Sequence, residues 1–295
     1  MKSYAFQTWD VFTRERFAGN QLAVIFDADD LTAEQMQTVT REFNFAESVF
    51  ILSPKDPNNA ARVRIFTPGY EVPFAGHPTV GASIAVAKAR SLDQKLCLEL
   101  KSGVFSIELD QTGDAPYAAF LNPNIPAEGR AAPPARDIET ALSLPSGSLN
   151  RTVHAPRIVG AGVDFLYVNA AIDDVRAAKL NMQAFDALAL RQEVGVLLYA
   201  KGGDLPGTDF HVRMFAPDAG VVEDAATGAA AAALPGQLLL AGDLGEGTQE
   251  FLIEQGVEME RPSYISVKTK TEKRKLTQVH IGGFATLVTD GTIRI

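Results

Sequence analysis

The sequence repeats itself at long range. Val63-Arg64-Ile65-Phe66-Thr67-Pro68 recurs as Val212-Arg213-Met214-Phe215-Ala216-Pro217. His77-Pro78-Thr79-Val80-Gly81-Ala82 faces Asp224-Ala225-Ala226-Thr227-Gly228-Ala229, and Leu98 through Val104 faces Phe251 through Val257. The three matches keep their order, 149, 147 and 153 residues apart. Solenoid units are shorter, about 20–50 residues, so a period near half the chain means a duplicated domain. The expected division is an N-terminal domain at 1–121, completed by 283–295, and a C-terminal domain at 122–282. The Pro- and Ala-rich stretch 122–136 reads as the linker. The tail 282–295 reads as a Gly-punctuated hairpin.

Both halves share a coarse pattern. An alternating, β-branched segment closed by proline reads as a strand, and a polar loop and a small-residue helix follow. The helices are expected at 78–90, with Pro78 in the first turn, and at 225–241, where Pro235 should kink or end the regular part. The second helix has almost no bulky side chain in its first two turns, so it can lie close to backbone inside a curved sheet. Residues 225–242 form the longest uncharged run, 18 residues. That reaches the lower edge of a membrane span, yet its alanines, Gly228, Gly236 and Gln237 read as a buried helix of a soluble protein. A third helix at 32–43 carries a capping box, Thr32 with Gln35, and an apolar stripe of Met36, Val39 and Phe43. Strands are expected at 4–12, 21–26, 47–52, 95–100, 104–109, 117–121, 195–200, 263–268 and 276–281. The basic run 268–275 reads as a solvated hairpin tip whose lysines blunt a sheet edge.

Composition removes several function classes. A formal net charge of -9 makes nucleic acid and anionic membranes poor partners. The single cysteine, Cys97, forbids an internal disulfide and points to a reducing, cytoplasmic compartment. The four histidines lack metal-ligand spacing. There is no phosphate loop and no nucleophile elbow, and Gly160-Ala161-Gly162 lacks the third glycine of a dinucleotide fingerprint. Nothing in the sequence requires a metal, nucleotide or flavin, and no cofactor is expected.

What remains is polar groups at matching places in the two halves. His77 and Asp224 both stand where a loop enters a helix, where free N–H groups and the positive dipole end favour anions. Two such termini facing each other would hold a small carboxylate or the enolate-like charge of proton abstraction. Taken singly, Asp224 also reads as an N-cap and His77 as a satisfied loop histidine. Glu47, between Ala46, Val49 and Phe50, has the apolar setting of a proton-transfer carboxylate. It also reads as a surface residue between a helix and a strand.

Asp10-Val11-Phe12-Thr13, Phe17 through Val24, Asn44 through Phe50, Phe74 through Gly81, Arg213 through Pro217, Glu223 through Gly228, Gln255-Gly256 and Arg261-Pro262-Ser263 form an ordered set. Together they resemble the PhzF-like (phenazine-biosynthesis-like) isomerases, and more distantly diaminopimelate epimerases and proline racemases, over nearly the whole chain. The resemblance implies an α+β fold of two pseudo-symmetric diaminopimelate epimerase-like domains. In each, an antiparallel sheet curls into a barrel around a central helix, and the active site lies in the cleft. It implies a cofactor-independent isomerase that moves a proton on a small carboxylated, amino- or hydroxy-acid-like substrate. Glu47 is then the acid/base, with His77 and Asp224 assisting and Asn20, Gly76, Thr227, Gly228 and Ala229 at the substrate. Homodimers are common in the family.

Ala225 and Ala229 stand where the family motif has Pro and Ser, and Glu260 where Gly is frequent. Losing the hydroxyl at 229 removes a hydrogen bond to substrate and supports a second reading, a small-acid binding or scaffold protein; a third is a lyase on the same fold, since proton abstraction beside a carboxylate can end in loss of water. Racemases of this fold use two opposed thiols. Cys97 lies in an expected strand and reads as a small core residue, so a two-thiol mechanism is not expected.

Overall fold

The computed structural model describes residues 2–149, 153–190 and 195–295. In chain order the elements are β1 (Ser3–Val11), β2 (Asn20–Ile25), α1 (Ala33–Phe43), β3 (Glu47–Leu52), β4 (Ala61–Phe66), β5 (Glu71–Val72), α2 (Gly76–Arg90), β6 (Lys95–Leu100), β7 (Gly103–Asp110), β8 (Tyr117–Leu121) and β9 (Ala127–Glu128). They continue with α3 (Ala135–Ala141), β10 (Arg157–Gly160), β11 (Asp164–Asn169), α4 (Ile172–Ala177), α5 (Met182–Ala187), β12 (Gly195–Lys201), β13 (Phe210–Ala216), β14 (Val221–Asp224), α6 (Gly228–Ala241), β15 (Gly247–Gln255), β16 (Ser263–Glu272) and β17 (Lys275–Arg294). The chain forms two compact units, Met1–Leu121 with Gly282–Ile295, and Asn122–Ile281.

In the first unit the strands close on themselves. β1 pairs with β2, β2 with β3, β3 with β4, β4 with β6, β6 with β7, β7 with β8, β8 with β17, and β17 returns to β1. Inside runs α2, with every residue from Gly76 to Ala87 buried. A helix apolar on all sides needs walls on all sides, and α2 touches β1, β2, β3, β4, β6 and β8. The fit leaves no room at Gly81, where a Cβ would come within 2.5 Å of Leu22 and 2.7 Å of Val11. Outside the ring, α1 covers β2 and β3 with Met36 and Val39 against Ala23, Ile25, Phe50 and Leu52. Its start has the expected Thr32–Gln35 capping box.

The second unit repeats the pattern. β9, β10, β11, β12, β13, β15 and β16 follow one another across a curled sheet, with β14 added to β13. α6 packs on β9, β10, β11 and β16 and is buried nearly throughout. It runs on past Pro235 to Ala241, so the proline neither ends nor shortens it. Here α3, α4 and α5 cover the outer face, with Ile138, Leu142, Val175 and Phe185 against Ile158, Leu166, Val168, Val196 and Leu198. No described helix is long and apolar enough to cross a membrane.

Three sequence expectations need correction. Residues 122–136 are not all linker: β9 pairs with β10, and α3 begins at Ala135. The tail is no hairpin, because β17 continues unbroken to Arg294 and pairs along β1. The basic hairpin tip does form, with Lys273 and Arg274 both at positive φ, as a type I′ turn demands.

The third correction concerns the repeat. Arg64 clamps Glu71 through Nε and Nη2 at 2.8 and 3.0 Å, and Arg213 clamps Glu223 through the same atoms at 2.8 Å each. Glu99 accepts the Lys55 and Asp56 amides and the Asn59 side chain, and these bonds, led by Asn59, hold its carboxyl at about 2. Glu254 accepts the Asp204 and Leu205 amides and the Thr208 hydroxyl. Strand register agrees, since Arg62 lies beside Glu99 and His211 beside Glu254. The equivalent positions are therefore Arg64 with Arg213, Glu71 with Glu223, Glu99 with Glu254, and Gly76 with Gly228 at the helix starts. His77 thus corresponds to Ala229. Asp224 does not begin a helix; it ends β14, opposite Met214, as Val72 lies opposite Ile65.

His211 has no counterpart of its type in the first unit. Fully buried, it sits between Glu254 Oε1 at 2.5 Å on Nδ1 and Glu258 Oε1 at 2.8 Å on Nε2. Burial alone would push its pKa down, but the two carboxylates together carry it up to about 9. Glu254 is correspondingly held low: burial raises it, and His211 and the loop donors more than offset that.

Two stability predictions follow from these pairs. Arg213 is 8% exposed and also donates to the carbonyls of Val175, Arg176 and Ala178, whereas Arg64 is 26% exposed. Arg213→Met should cost roughly 3–5 kcal/mol in urea unfolding, and Arg64→Met about 1 kcal/mol. An unfolded histidine titrates near 6.5, so the raised value makes the His211 contribution complete below about pH 6.5 and lost as pH rises through about 9. Between those limits the wild type should lose roughly 2–3 kcal/mol more than His211→Gln, measured by denaturation at each pH.

Candidate active site

Parallel pairing gathers the first cluster. β2 and β3 are joined by the α1 crossover and run side by side, with Leu22 beside Glu47. Asn20 and Gln21 therefore share one end of the ring with Glu47, and α2 starts there with Gly76 and His77. Asn44, left-handed at φ 53, closes α1 and turns the chain into β3. His77 is 3% exposed and donates to, or accepts from, three neighbours: its Nε2 is 3.3 Å from the Gln21 carbonyl, and its Nδ1 is 3.4 Å from Asn20 Nδ2 and 3.5 Å from Glu47 Oε2. A carbonyl only accepts, so Nε2 carries the hydrogen and Nδ1 presents a lone pair.

Burial, only partly countered by the Gln21 carbonyl, drives the His77 pKa down to about 3. The ring is neutral at any ordinary pH. Its contact with Glu47 is accordingly not an ion pair, though the distance is that of one. A neutral Glu47 carboxyl can donate its proton to Nδ1. Glu47 itself is 18% exposed, open enough to meet a ligand.

The second cluster is built on β14, β15 and the start of α6. Thr227 precedes the helix but does not cap it. Its hydroxyl donates instead to Asp224 Oδ2 at 2.6 Å. α2 also begins without a side-chain cap, behind Ala75. Both central helices thus leave first-turn N–H groups for another partner, unlike α1 with its complete capping box. Beneath the turn, Gln255 bonds both Thr227 and Asp224, Ser263 Oγ donates to the Ala225 carbonyl at 2.9 Å, and Gly256 at φ 76 fits where a Cβ would meet the Ala225 carbonyl at 2.7 Å.

Of the residues singled out in the sequence, Asn20, Glu47, Gly76 and His77 come together in the first unit. Asp224, Thr227, Gly228 and Ala229 come together in the second. Gln255 and Ser263 lie within quoted motifs but carried no expected role. Their signal was polar character at inward strand positions, where both are 1% exposed or less. Cys97 lies in β6, half-buried rather than in the core.

Two other features are not this site. Asp204, His211 and Glu254 have ligand atoms close enough for a metal. However, Glu254 already takes two amides, a hydroxyl and the imidazole, and Asp204 is held by Arg176. Those bonds occupy the lone pairs a cation would need, so the cluster fits a buried salt bridge and not a metal. A cavity of about 700 Å³, lined by Trp9, Arg14, Ile84 and Lys88 among others, opens by the C-terminal half of α2 and shares no residue with the His77 cluster.

The family profile described as phenazine biosynthesis-like protein matches residues 9–291. An uncharacterised isomerase of Mesorhizobium japonicum is 36% identical over the full length of both chains. A trans-2,3-dihydro-3-hydroxyanthranilate isomerase of Pseudomonas fluorescens is 36% identical over 96% of this chain and 97% of its own. Among solved structures, a PhzF-family phenazine biosynthesis protein of Bacillus anthracis superposes with a TM-score of 0.90 at 25% identity, covering all of both chains. Two curled-sheet units around central helices, with near full-length kinship to named isomerases, make this chain an isomerase that belongs to the phenazine biosynthesis-like (PhzF) family.

Proposed function

We propose that the chain moves a proton between two carbons of a small carboxylated substrate, with Glu47 as the acid/base and no metal or cofactor taking part. The observation that carries this reading is the buried His77 ring, with Nδ1 3.5 Å from Glu47 Oε2 and its pKa driven down to about 3 by burial. Ionised Glu47 takes a proton from a C–H beside a carboxylate or a conjugated system, and the electron pair shifts into that system. The carboxyl, now neutral, turns its proton toward His77 Nδ1 and is held in place. It then returns the proton to a second carbon as the double bond moves. Atoms and charge balance with one carboxyl group and no oxidant.

The uncapped N–H groups at Gly76–His77 and at Gly228–Ala229 suit a substrate carboxylate or the charge that develops during transfer. Asn20, Thr227 and Asp224 are assigned to holding substrate. Ala229 lacks a hydroxyl, but its backbone N–H is retained. The name of the Pseudomonas fluorescens relative makes trans-2,3-dihydro-3-hydroxyanthranilate the first substrate to assay. A cytoplasmic homodimer is part of the same proposal, and light scattering tests the dimer.

Glu47→Gln keeps the shape and removes the base, so it should lower kcat roughly 10²–10⁴-fold with binding retained. Turnover in D2O should place deuterium at the new C–H position unless the carboxyl proton is shielded from solvent throughout the transfer. Most of the wild-type rate in a folded Glu47→Gln protein would refute the assignment, and no turnover of any small acid by the wild type would favour the binding-protein reading. Because His77 stays neutral above about pH 3, the rate profile between about pH 5 and 9 should show no inflection from it.

A further inference from the structure

Within the second unit, Gln255 spends its whole amide on one turn. Its Oε1 accepts the Thr227 N–H at 3.0 Å, and its Nε2 donates to the Asp224 carbonyl at 2.7 Å and to Thr227 Oγ1 at 3.0 Å. Only one orientation of the amide satisfies all three, because the Asp224 carbonyl cannot donate and the Thr227 N–H cannot accept. The third bond has a directional consequence. A Thr227 hydroxyl that receives from Nε2 must send its own hydrogen elsewhere, and the acceptor in reach is Asp224 Oδ2 at 2.6 Å. The relay runs one way, from Gln255 to Thr227 to Asp224.

The duplication supplies an internal comparison. Features that hold each sheet together recur in both halves: the Arg–Glu clamp and the glutamate beneath the loop. The position equivalent to Gln255 is Leu100, next after Glu99 as Gln255 is after Glu254. The fold therefore does not need an amide there. Gln255 is 1% exposed, beyond the reach of solvent, and its polar atoms serve only the turn that carries Asp224.

We infer that Gln255 is a positioning residue of the isomerase, fixing both the Asp224 carboxylate and the uncapped start of α6 by dictating the direction of the Thr227 hydroxyl. This rests on the proposed function, in which Asp224 and the α6 start hold substrate. Gln255→Glu keeps size and acceptor, but when ionised it has no donor. It then faces the Asp224 carbonyl with an oxygen and draws the Thr227 hydroxyl away from Asp224. Protonation restores one donor. Gln255→Met fills the space and offers neither.

The test assays both variants and the wild type with trans-2,3-dihydro-3-hydroxyanthranilate at about pH 8 and pH 5, alongside thermal unfolding and amide hydrogen exchange. Expected at pH 8 is a kcat/KM loss of at least roughly 10-fold in both variants, an energy of the size of one buried hydrogen bond to a charged group. The Gln255→Glu deficit should shrink toward pH 5 and the Gln255→Met deficit should not. A residue that only stabilised the fold would show the same deficit at both pH values. The Thr227 amide should exchange at least about 10-fold faster in Gln255→Met, with α2 amides unchanged. Wild-type kcat/KM in both folded variants would overturn the inference. If the wild type does not turn this substrate over, the substrate reading fails by itself. Thr227 exchange then decides: unchanged protection in Gln255→Met overturns the inference, and its loss sustains it.

Discussion

A helix threaded through a curled sheet has to be narrow. α2 and α6 meet this with glycine and alanine where backbone approaches, as Gly81 does against Val11 and Leu22, and the rest of each unit is arranged around that fit. The strands must close far enough to cover a helix that is apolar on every side. Each central helix also starts without a side-chain cap, behind Ala75 in one unit and Thr227 in the other, where the Thr227 hydroxyl is turned to Asp224 instead. Oriented N–H groups are left at the start of each core helix.

Duplication separates what the two units share from what each has alone. The Arg64–Glu71 and Arg213–Glu223 clamps bind β4 to β5 and β13 to β14 with the same atoms. Glu99 and Glu254 tie loops to β6 and β15 in the same way. Where the halves differ, the differences concentrate near the helix starts and the strands that support them. One unit has Asn20, Glu47 and His77; the other has Asp224, Thr227 and Gln255. The His211 clamp is a further divergence. It bonds Glu254 on β15 to Glu258 in the 3-10 turn Val257–Met259, just beyond Gly256. It thereby stiffens the segment that packs against Ala225 from below.

The duplication was legible in the sequence because VRIFTP and VRMFAP combine strand alternation with a terminal proline, a local pattern that needs no tertiary partner. The α1 capping box was legible for the same reason. The register was not. Matching His77 to Asp224 aligned two polar residues near helix starts, whereas the ladder aligns Asp224 with Val72 and His77 with Ala229. Loops differ in length between the halves, and only strand pairing shows where the extra residues lie. The tail misled through its glycines: Gly282 and Gly283 mark close contact with Tyr117 and Phe12 within a continuous strand, not turns. For the site, Glu47 and His77 were nameable from motifs. The neutrality of His77 was not, since it comes from burial, which the Gln21 carbonyl only partly counters, and no side-chain pattern reports either.

The corrected register bears on the kind of isomerisation proposed. A racemase needs an acid and a base on opposite faces of one carbon. Here the second residue of α2 is His77, and its counterpart in α6 is Ala229, which cannot titrate. Asp224 lies outside the helix, with Oδ2 taken up by Thr227. In the proposed reaction acid/base chemistry falls on Glu47, and a single carboxyl would remove and return a proton on the same face. Such a group cannot invert a centre by donating from the far side, but it can carry a proton from one carbon of a conjugated system to another. The loss of symmetry at that one helix position therefore argues for a shift of a double bond rather than for racemisation.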